Sequence, residues 1–536
     1  MRSSPERGGG PPAVGWWWRG LSAVEARVEA PLHHASHGPP PRSGEDPKRR
    51  VHKVRFAILA LPALLGACVV GPNYKPAPTP PTAAGAFVDP GMARVDPARP
   101  SGAWWHLFGD PALDRLIADA LAHNTDIRIA SANLQRARAL LGEARAGRLP
   151  TTDVSAAYTR RRVGTASQTS VAAAPGAPDA VTFDYWTAGF DASYEVDLFG
   201  GVTRSIEAAR GDAAASAAAL DAARVAVAAE TARNYAAACG DANQADVARE
   251  TARLQQSTLD LTRRLFDAGR GTRRDVDQAQ LLADQALAQV PSFEAERRAS
   301  LYALAALTGR PPAEVDAAAA ACKVPPKVAT LIPVGDGAAL LARRPDVRRA
   351  ERQLAADTAR IGVATADLYP SISLAGSASL GATRLGDIGK PKSFSFSLGP
   401  LITWNFPNLS VARARVRQAE AQAQASLAGF DGTVLTALRE AEQALARYAG
   451  ELDRNAALVR ADAAAADAAG IARKRFDAGR DSFLQLLDAE RDRAAARAAL
   501  AGSNARLADA QVSLFKALGG GWESEATGAP TSGQSN

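Results

Sequence analysis

Two stretches of this chain alternate between apolar and polar residues over about ten positions each. In the first, Ala188, Phe190, Ala192, Tyr194, Val196 and Leu198 are interleaved with Gly189, Asp191, Ser193, Glu195 and Asp197. In the second, Phe394, Phe396, Leu398, Pro400, Ile402 and Trp404 are interleaved with Ser395, Ser397, Gly399, Leu401 and Thr403. Period-two alternation of this length gives a strand with one oily and one wet face, the kind that lines a transmembrane β-barrel. Long Ala-rich segments with helical character surround both stretches. Few chain designs combine the two, so the pattern constrains the fold strongly.

The chain repeats itself. The segment from Asp126 to Pro150 aligns without gaps to that from Asp346 to Pro370, with Ala130/Ala350, Leu134/Leu354, Gly142/Gly362, Ala144/Ala364 and Pro150/Pro370 identical. Phe266-Asp267-Ala268-Gly269-Arg270 recurs as Phe476-Asp477-Ala478-Gly479-Arg480. Each half is expected to run helix, strand, loop, strand, very long helix, tight turn, helix. The first repeat spans 111–310, with a helix over about 111–148, strands within about 152–199 and a helical hairpin over about 203–308. The second spans 337–518, with a helix over about 337–368, strands within about 371–406 and a hairpin over about 410–518. The long helices carry a/d spacing, with Val434, Ala441 and Tyr448 alternating with Leu438, Leu445 and Leu452. A helix of about 65 residues is roughly 100 Å long. Residues 519–536, rich in Gly, Ser and Thr, are expected to be a disordered tail.

Of the 536 residues, the N-terminus carries most of the formal charge of +7. Residues 1–67 hold ten Lys/Arg and five Asp/Glu, leaving 53 against 51 for the rest. The basic balance therefore does not indicate a nucleic-acid surface. Residues 1–50, with Trp16-Trp17-Trp18 and the His33, His34, His37 tract, are expected to lie outside the working protein, which would start at Val51 or Val54. Residues 51–67 read as a secretory signal: a basic run ending at Arg55, then Phe56 to Ala67, too short to span a bilayer. Leu65-Gly66-Ala67-Cys68 has the form of a bacterial lipobox, which makes Cys68 the lipidated first residue of an extended segment, 68–110. Val69 rather than Asp after the Cys favours the outer membrane. Cys239 and Cys322 are expected to be two small buried thiols without chemistry.

After residue 67 only His106 and His123 remain, and no phosphate-binding Gly loop, Cys/His metal cluster or nucleophile elbow is visible. These features argue against an enzyme and against any metal or cofactor. Four strands cannot close a membrane barrel, because single-chain barrels need at least about eight, and an open edge in lipid leaves backbone groups unpaired. The chain must therefore assemble.

The order Cys68-Val69-Val70-Gly71-Pro72-Asn73-Tyr74, Trp104-Trp105 with Phe108-Gly109-Asp110-Pro111, Tyr194-Glu195-Val196-Asp197-Leu198-Phe199-Gly200, Arg343-Arg344-Pro345-Asp346-Val347 and the paired Phe-Asp-Ala-Gly turns resembles the TolC/OprM-type outer-membrane factors, in their NodT-like lipoprotein branch. The resemblance covers about residues 68–520. It implies an α+β membrane protein, internally duplicated, whose homotrimer builds a 12-stranded transmembrane β-barrel and a periplasmic α-helical barrel in the outer membrane of a Gram-negative bacterium. It implies a passive exit duct of a tripartite, RND-type multidrug efflux system, with a periplasmic adaptor (membrane fusion protein) and an inner-membrane pump as partners. Gly269, Arg270, Gly479 and Arg480 would be the adaptor-docking tips. Asp488 would form a three-carboxylate ring at the periplasmic mouth. Asp275 and Arg480 would link hairpins there, and Phe476 stands where some relatives carry a Tyr. The loops 163–183 and 384–392 would be extracellular. A periplasmic adaptor lipoprotein and a type I protein-secretion duct are the alternatives. An adaptor would have one hairpin between β-rich halves, not two hairpins and four alternating strands.

Overall fold

The computed structural model describes residues 69–76, 81–89, 92, 94–100, 102–164 and 180–521. The expectations for the extension 1–50, the signal 51–67 and Cys68 lie outside the described residues.

Four strands form one antiparallel sheet in the order β1 (Thr151–Gly164), β2 (Ala180–Val196), β3 (Ser371–Ala382), β4 (Phe394–Thr403). The register aligns the two faces across all four strands. Val154, Phe190, Ala378 and Phe396 share one row, and Asp153, Asp191, Ser377 and Ser397 share the next. On the polar face the Ser377 and Ser397 hydroxyls lie 2.8 Å apart, as do those of Ser379 and Ser395. On the other face Val154 is 80% and Phe396 75% exposed. Such a face is out of place in water and fits lipid. β1 and β2 are longer than the alternation suggested, so the first interstrand loop narrows to 165–179, outside the described residues. The second holds two short 3-10 turns, Leu385–Asp387 and Pro391–Ser393.

From Pro111 onward the helices are α1 (Pro111–His123), α2 (Thr125–Ala146), α3 (Gly201–Asp267), α4 (Arg273–Leu307), α5 (Ala317–Ala321), α6 (Gly337–Arg343), α7 (Pro345–Ala366), α8 (Ser410–Asp477) and α9 (Phe483–Ala517). The single helices expected over 111–148 and 337–368 are each broken, and at equivalent repeat positions. Asn124 is extended (φ −61°, ψ 137°) and its side chain accepts from the Asp126 and Ile127 amides, starting a new helix. In the second repeat Arg344 is extended because Pro345 follows it.

α3 and α8 are 67 and 68 residues long. Towards its N-terminus α3 packs against α2 and α7, and α8 packs against α7. Farther along, α4 and α9 flank α3, and α9 packs on α8. The order is thus α2–α3–α7–α8 beside the sheet and α4–α3–α9–α8 towards the hairpin turns. Small residues bring the axes close. A Cβ on Gly211 of α3 would lie 2.8 Å from the Ala356 methyl of α7, so the helix accepts the ~1 kcal/mol cost of an interior glycine.

Between the two zones lies the aromatic core. Trp104 stacks on Phe515 at 4.8 Å, with Phe108 edge-on to both. The Phe-Gly-Asp-Pro motif is structural: Asp110 caps α1 through the Ala112 amide and accepts the Tyr235 hydroxyl at 2.8 Å. The segment before it crosses the helices as a strap, through Glu442 (to the Val88 and Asp89 amides), Asp453 (to Arg94) and a bridge from Asp96 to Pro333.

The two cysteines are not free thiols. Cys239 and Cys322 form a disulfide (Cα–Cα 5.0 Å), 83 residues apart. The connection between the repeats folds back onto α3 through α5 and brings Cys322 to Cys239. Gly519 (φ +70°), expected in the tail, packs against the Arg344 side chain. The residues beyond 521 lie outside the described residues.

Candidate functional site

The two hairpin turns are built alike. Gly269 (φ +71°) and Gly479 (φ +68°) occupy the left-handed region that other residues rarely adopt. Their amides donate to the Phe266 and Phe476 carbonyls, and those of Arg270 and Arg480 donate to the Leu265 and Arg475 carbonyls. This is the backbone pattern that ends a helix at a glycine. Each following helix begins with a reciprocal cap, Thr272 with Asp275 and Ser482 with Gln485. Asp275 and Gln485 are therefore repeat equivalents with the same local task. The Asp275 carboxylate accepts from the Thr272 hydroxyl at 2.7 Å and amide at 2.8 Å, and these bonds hold its pKa below the usual carboxylate range. Within the chain it is engaged by Thr272 and is not brought to Arg480 or Phe476.

Arg480 is exposed at its turn. Its neighbour Asp481 accepts from the Arg475 Nε at 2.8 and 3.0 Å. The Phe476 ring stands 6.0 Å from Phe483, bracing the second turn from inside the hairpin. Asp488 lies on the first turns of α9, 52% exposed, with Arg491 Nη1 3.4 Å from its carboxylate. Two residues on, Glu490 is buried and faces Arg473 of α8 at 3.5 Å. Sequence reading missed this acid; its signal was an Arg and a Glu on the facing helices of one hairpin. Burial pushes Asp241 of α3 up to about 6, helped by the charge of Glu296 on α4. Among the described residues no His/Cys/Asp/Glu group is arranged to hold a metal ion, and no helix is long and apolar enough to cross a membrane. The latter says nothing of the sheet.

The described surface has three notable parts. They are an amphipathic sheet with two open edges, a layer of very long helices, and two glycine turns with exposed arginines. Comparison with known proteins agrees with this geometry. The sequence model described as "Outer membrane efflux protein" matches residues 116–310 and 338–520, one span for each repeat. Nodulation protein T of Rhizobium leguminosarum bv. viciae is 30% identical over 491 residues, covering 90% of this chain and 96% of that protein. Outer membrane protein OprJ of Pseudomonas aeruginosa is 31% identical over 481 residues, covering 88% and 97%. Among solved structures, the outer-membrane channel OprN superposes with a TM-score of 0.77 at 35% identity, covering 85% of this chain and all of that one. The open state of the Neisseria gonorrhoeae MtrE outer membrane channel gives 0.73 at 28% identity, covering 85% and 99%. A duplicated chain with one amphipathic sheet and two long hairpins, matched in both repeats, belongs to the outer membrane efflux proteins, the outer-membrane channels of Gram-negative efflux systems.

Proposed function

We propose that three copies of this chain close into a 12-stranded barrel continued by a 12-helix tunnel, a passive exit duct for small molecules delivered by an inner-membrane pump through a periplasmic adaptor. The observation that carries this reading is the four-stranded sheet, which has one lipid-compatible face and edges at β1 and β4. Each unpaired backbone group in lipid costs several kcal/mol, and joining β4 of one chain to β1 of the next removes those edges. The helices support the same closure, because α4 and α8 are the edges of their layer. Across that seam Asp275 at the start of α4 would face Phe476 on the last turn of α8 and Arg480 just beyond it. This makes the expected hairpin link a contact between protomers rather than within one. Gly269, Arg270, Gly479 and Arg480 at the turns would meet the adaptor.

Lipidation of Cys68 belongs to the same reading. The residues after it are fixed at the helix end of the sheet. The Val70 amide donates to the Phe199 carbonyl at 3.1 Å, and the buried Arg204 donates to the Val70 and Gly71 carbonyls and to Asn73. An acyl chain on the preceding residue would start at the membrane's inner rim. Cys68→Ser is expected to abolish labelling by a clickable fatty acid; undiminished labelling would refute the assignment.

Three copies of Asp488 would ring the mouth. At about 5 Å and an effective dielectric of about 20, each pair repels by roughly 3 kcal/mol before screening by salt, water and Arg491. Asp488→Ala is expected to raise single-channel conductance and reduce block by divalent cations in planar bilayers. Equal conductance and equal block would reduce Asp488 to a solvated helix residue. Detergent-resistant, heat-modifiable trimers of the wild type test the assembly itself.

A further inference from the structure

The lipid-facing side of the sheet is apolar over a definite height and then abruptly charged at one end. Its rows run from Val196, Ile372 and Ile402, near the helices, to Tyr158, Trp186 and Ala382 at the far end. That is ten residues along β2, about 33 Å, or about 25 Å once a strand tilt near 40° is applied, which is the height of an outward apolar band. Tyr158 and Trp186, with ring centroids 4.5 Å apart, mark its upper boundary as an aromatic girdle does.

Beyond them on the same face come Asp184 and Arg160, then Arg162. These three are the charged residues among the described outward positions of all four strands. Asp184 accepts the Tyr158 hydroxyl at 2.9 Å and lies 3.7 Å from Arg160 Nη1. One carboxylate, already shared with a tyrosine, thus stands against two guanidinium groups, with Arg160 68% exposed. Two and four residues beyond Tyr158, at the same tilt, lie about 5 and about 10 Å above the girdle, within headgroup depth. The β3–β4 loop ends at the same level and adds Arg384, Lys390 and Lys392 against Asp387, which binds both lysines.

We propose that Arg160 and Arg162, with Asp184 as a positioning residue, form a docking site for the phosphorylated headgroups of outer-leaflet lipid, one site per protomer. This rests on the barrel reading. Guanidinium forks match phosphate oxygens in charge and shape. The adjoining apolar band would take the acyl chains of the same molecule, so the site selects a lipid over a free anion. Docking there would fix the height of the barrel in the membrane.

The test uses purified full-length trimers exchanged into phosphatidylcholine vesicles doped with diphosphorylated lipid A, then re-extracted, with bound lipid A counted by native mass spectrometry. Wild type is expected to retain lipid A several-fold above the R160Q/R162Q variant, and the R160K/R162K variant to lie between them. R161Q, whose side chain lies on the lumen face, is expected to retain it like wild type. Equal retention by R160Q/R162Q and wild type would overturn the proposal. So would loss in R161Q alone, or complete displacement by inorganic phosphate at equal concentration. Heat-modifiable trimers, scored on the same samples, report on the barrel separately: their absence from wild type would count against that reading, whereas intact trimers without selective retention would count against the arginines.

Discussion

Phe396→Arg is expected to abolish the assembled barrel, and Ser397→Arg, one residue on, to leave it standing. Phe396 shares a row with Val154, Phe190 and Ala378, four residues from the Trp186 row and six from the Val196 row along β2. It therefore lies close to mid-height of the apolar face. An arginine on the lipid face at the bilayer midplane costs about 2–4 kcal/mol, and the proposed trimer would carry three copies, so about 6–12 kcal/mol would bear on each barrel. Ser397 points to the other face, where its hydroxyl meets that of Ser377 at 2.8 Å. Replacing it loses about one hydrogen bond, worth about 1 kcal/mol, and puts the new charge in the lumen, where conductance should change. The check is the yield of heat-modifiable trimer in the outer-membrane fraction, with bilayer recordings of Ser397→Arg. Equal yields from both variants, or the reverse order, would invert the face assignment on which the barrel and the lipid site both rest.

The sheet was legible because its two environments differ at every second residue. The turns were legible because glycine takes a φ near +70° at little cost, and the same five-residue phrase occurs twice. Where the sequence misled, a single residue served a local purpose that periodicity does not register. Asn124 leaves the apolar pattern of 111–148 uninterrupted, yet its side chain caps α2 and also donates to the Leu307 carbonyl. The matching break in the second repeat was there to be read in Arg344-Pro345. Asp275 stands three residues after Thr272, the spacing of a reciprocal cap, which accounts for its carboxylate before any contact with a second hairpin. The disulfide depends on where the segment between the repeats folds back, and neither Cys239 nor Cys322 carries that information locally. Buried charges were hardest to foresee. Arg344 and Glu490 look like ordinary solvated residues until the helices that enclose them are placed.

Arg344 gives the second large effect. Its side chain is 9% exposed, and its guanidinium donates to Asp346 at 3.0 and 2.6 Å, to Glu440 of α8 at 2.8 Å and to the Ala517 carbonyl at the end of α9 at 3.0 Å. One side chain thus ties together the start of α7, the middle of α8 and the last turn of α9, where a cation also opposes the helix dipole. Breaking a fully buried pair costs about 3–5 kcal/mol. The two carboxylates here still reach water, which brings the expected cost of Arg344→Ala to about 2–3 kcal/mol per chain. Arg344→Lys keeps the charge but not the fork, and should fall between. The pH dependence separates this from simple loss of packing. Burial pushes the Asp346 carboxyl up, but the hydrogen bonds and charge of Arg344, with smaller help from the Val347 and Asp346 backbone amides, outweigh it and hold the pKa below its ordinary value. A depressed carboxylate pKa contributes stability above the unfolded value, near 4, and loses it as pH falls through the folded value. Without Arg344 only the Val347 and Asp346 backbone amides still offset burial, so the variant is penalised most where Asp346 is charged. The gap in melting temperature between wild type and Arg344→Ala should therefore be widest at neutral pH and narrow as pH falls below about 4. A gap that is constant from pH 7 to pH 3.5 would show that Arg344 acts through its volume and not through its charge.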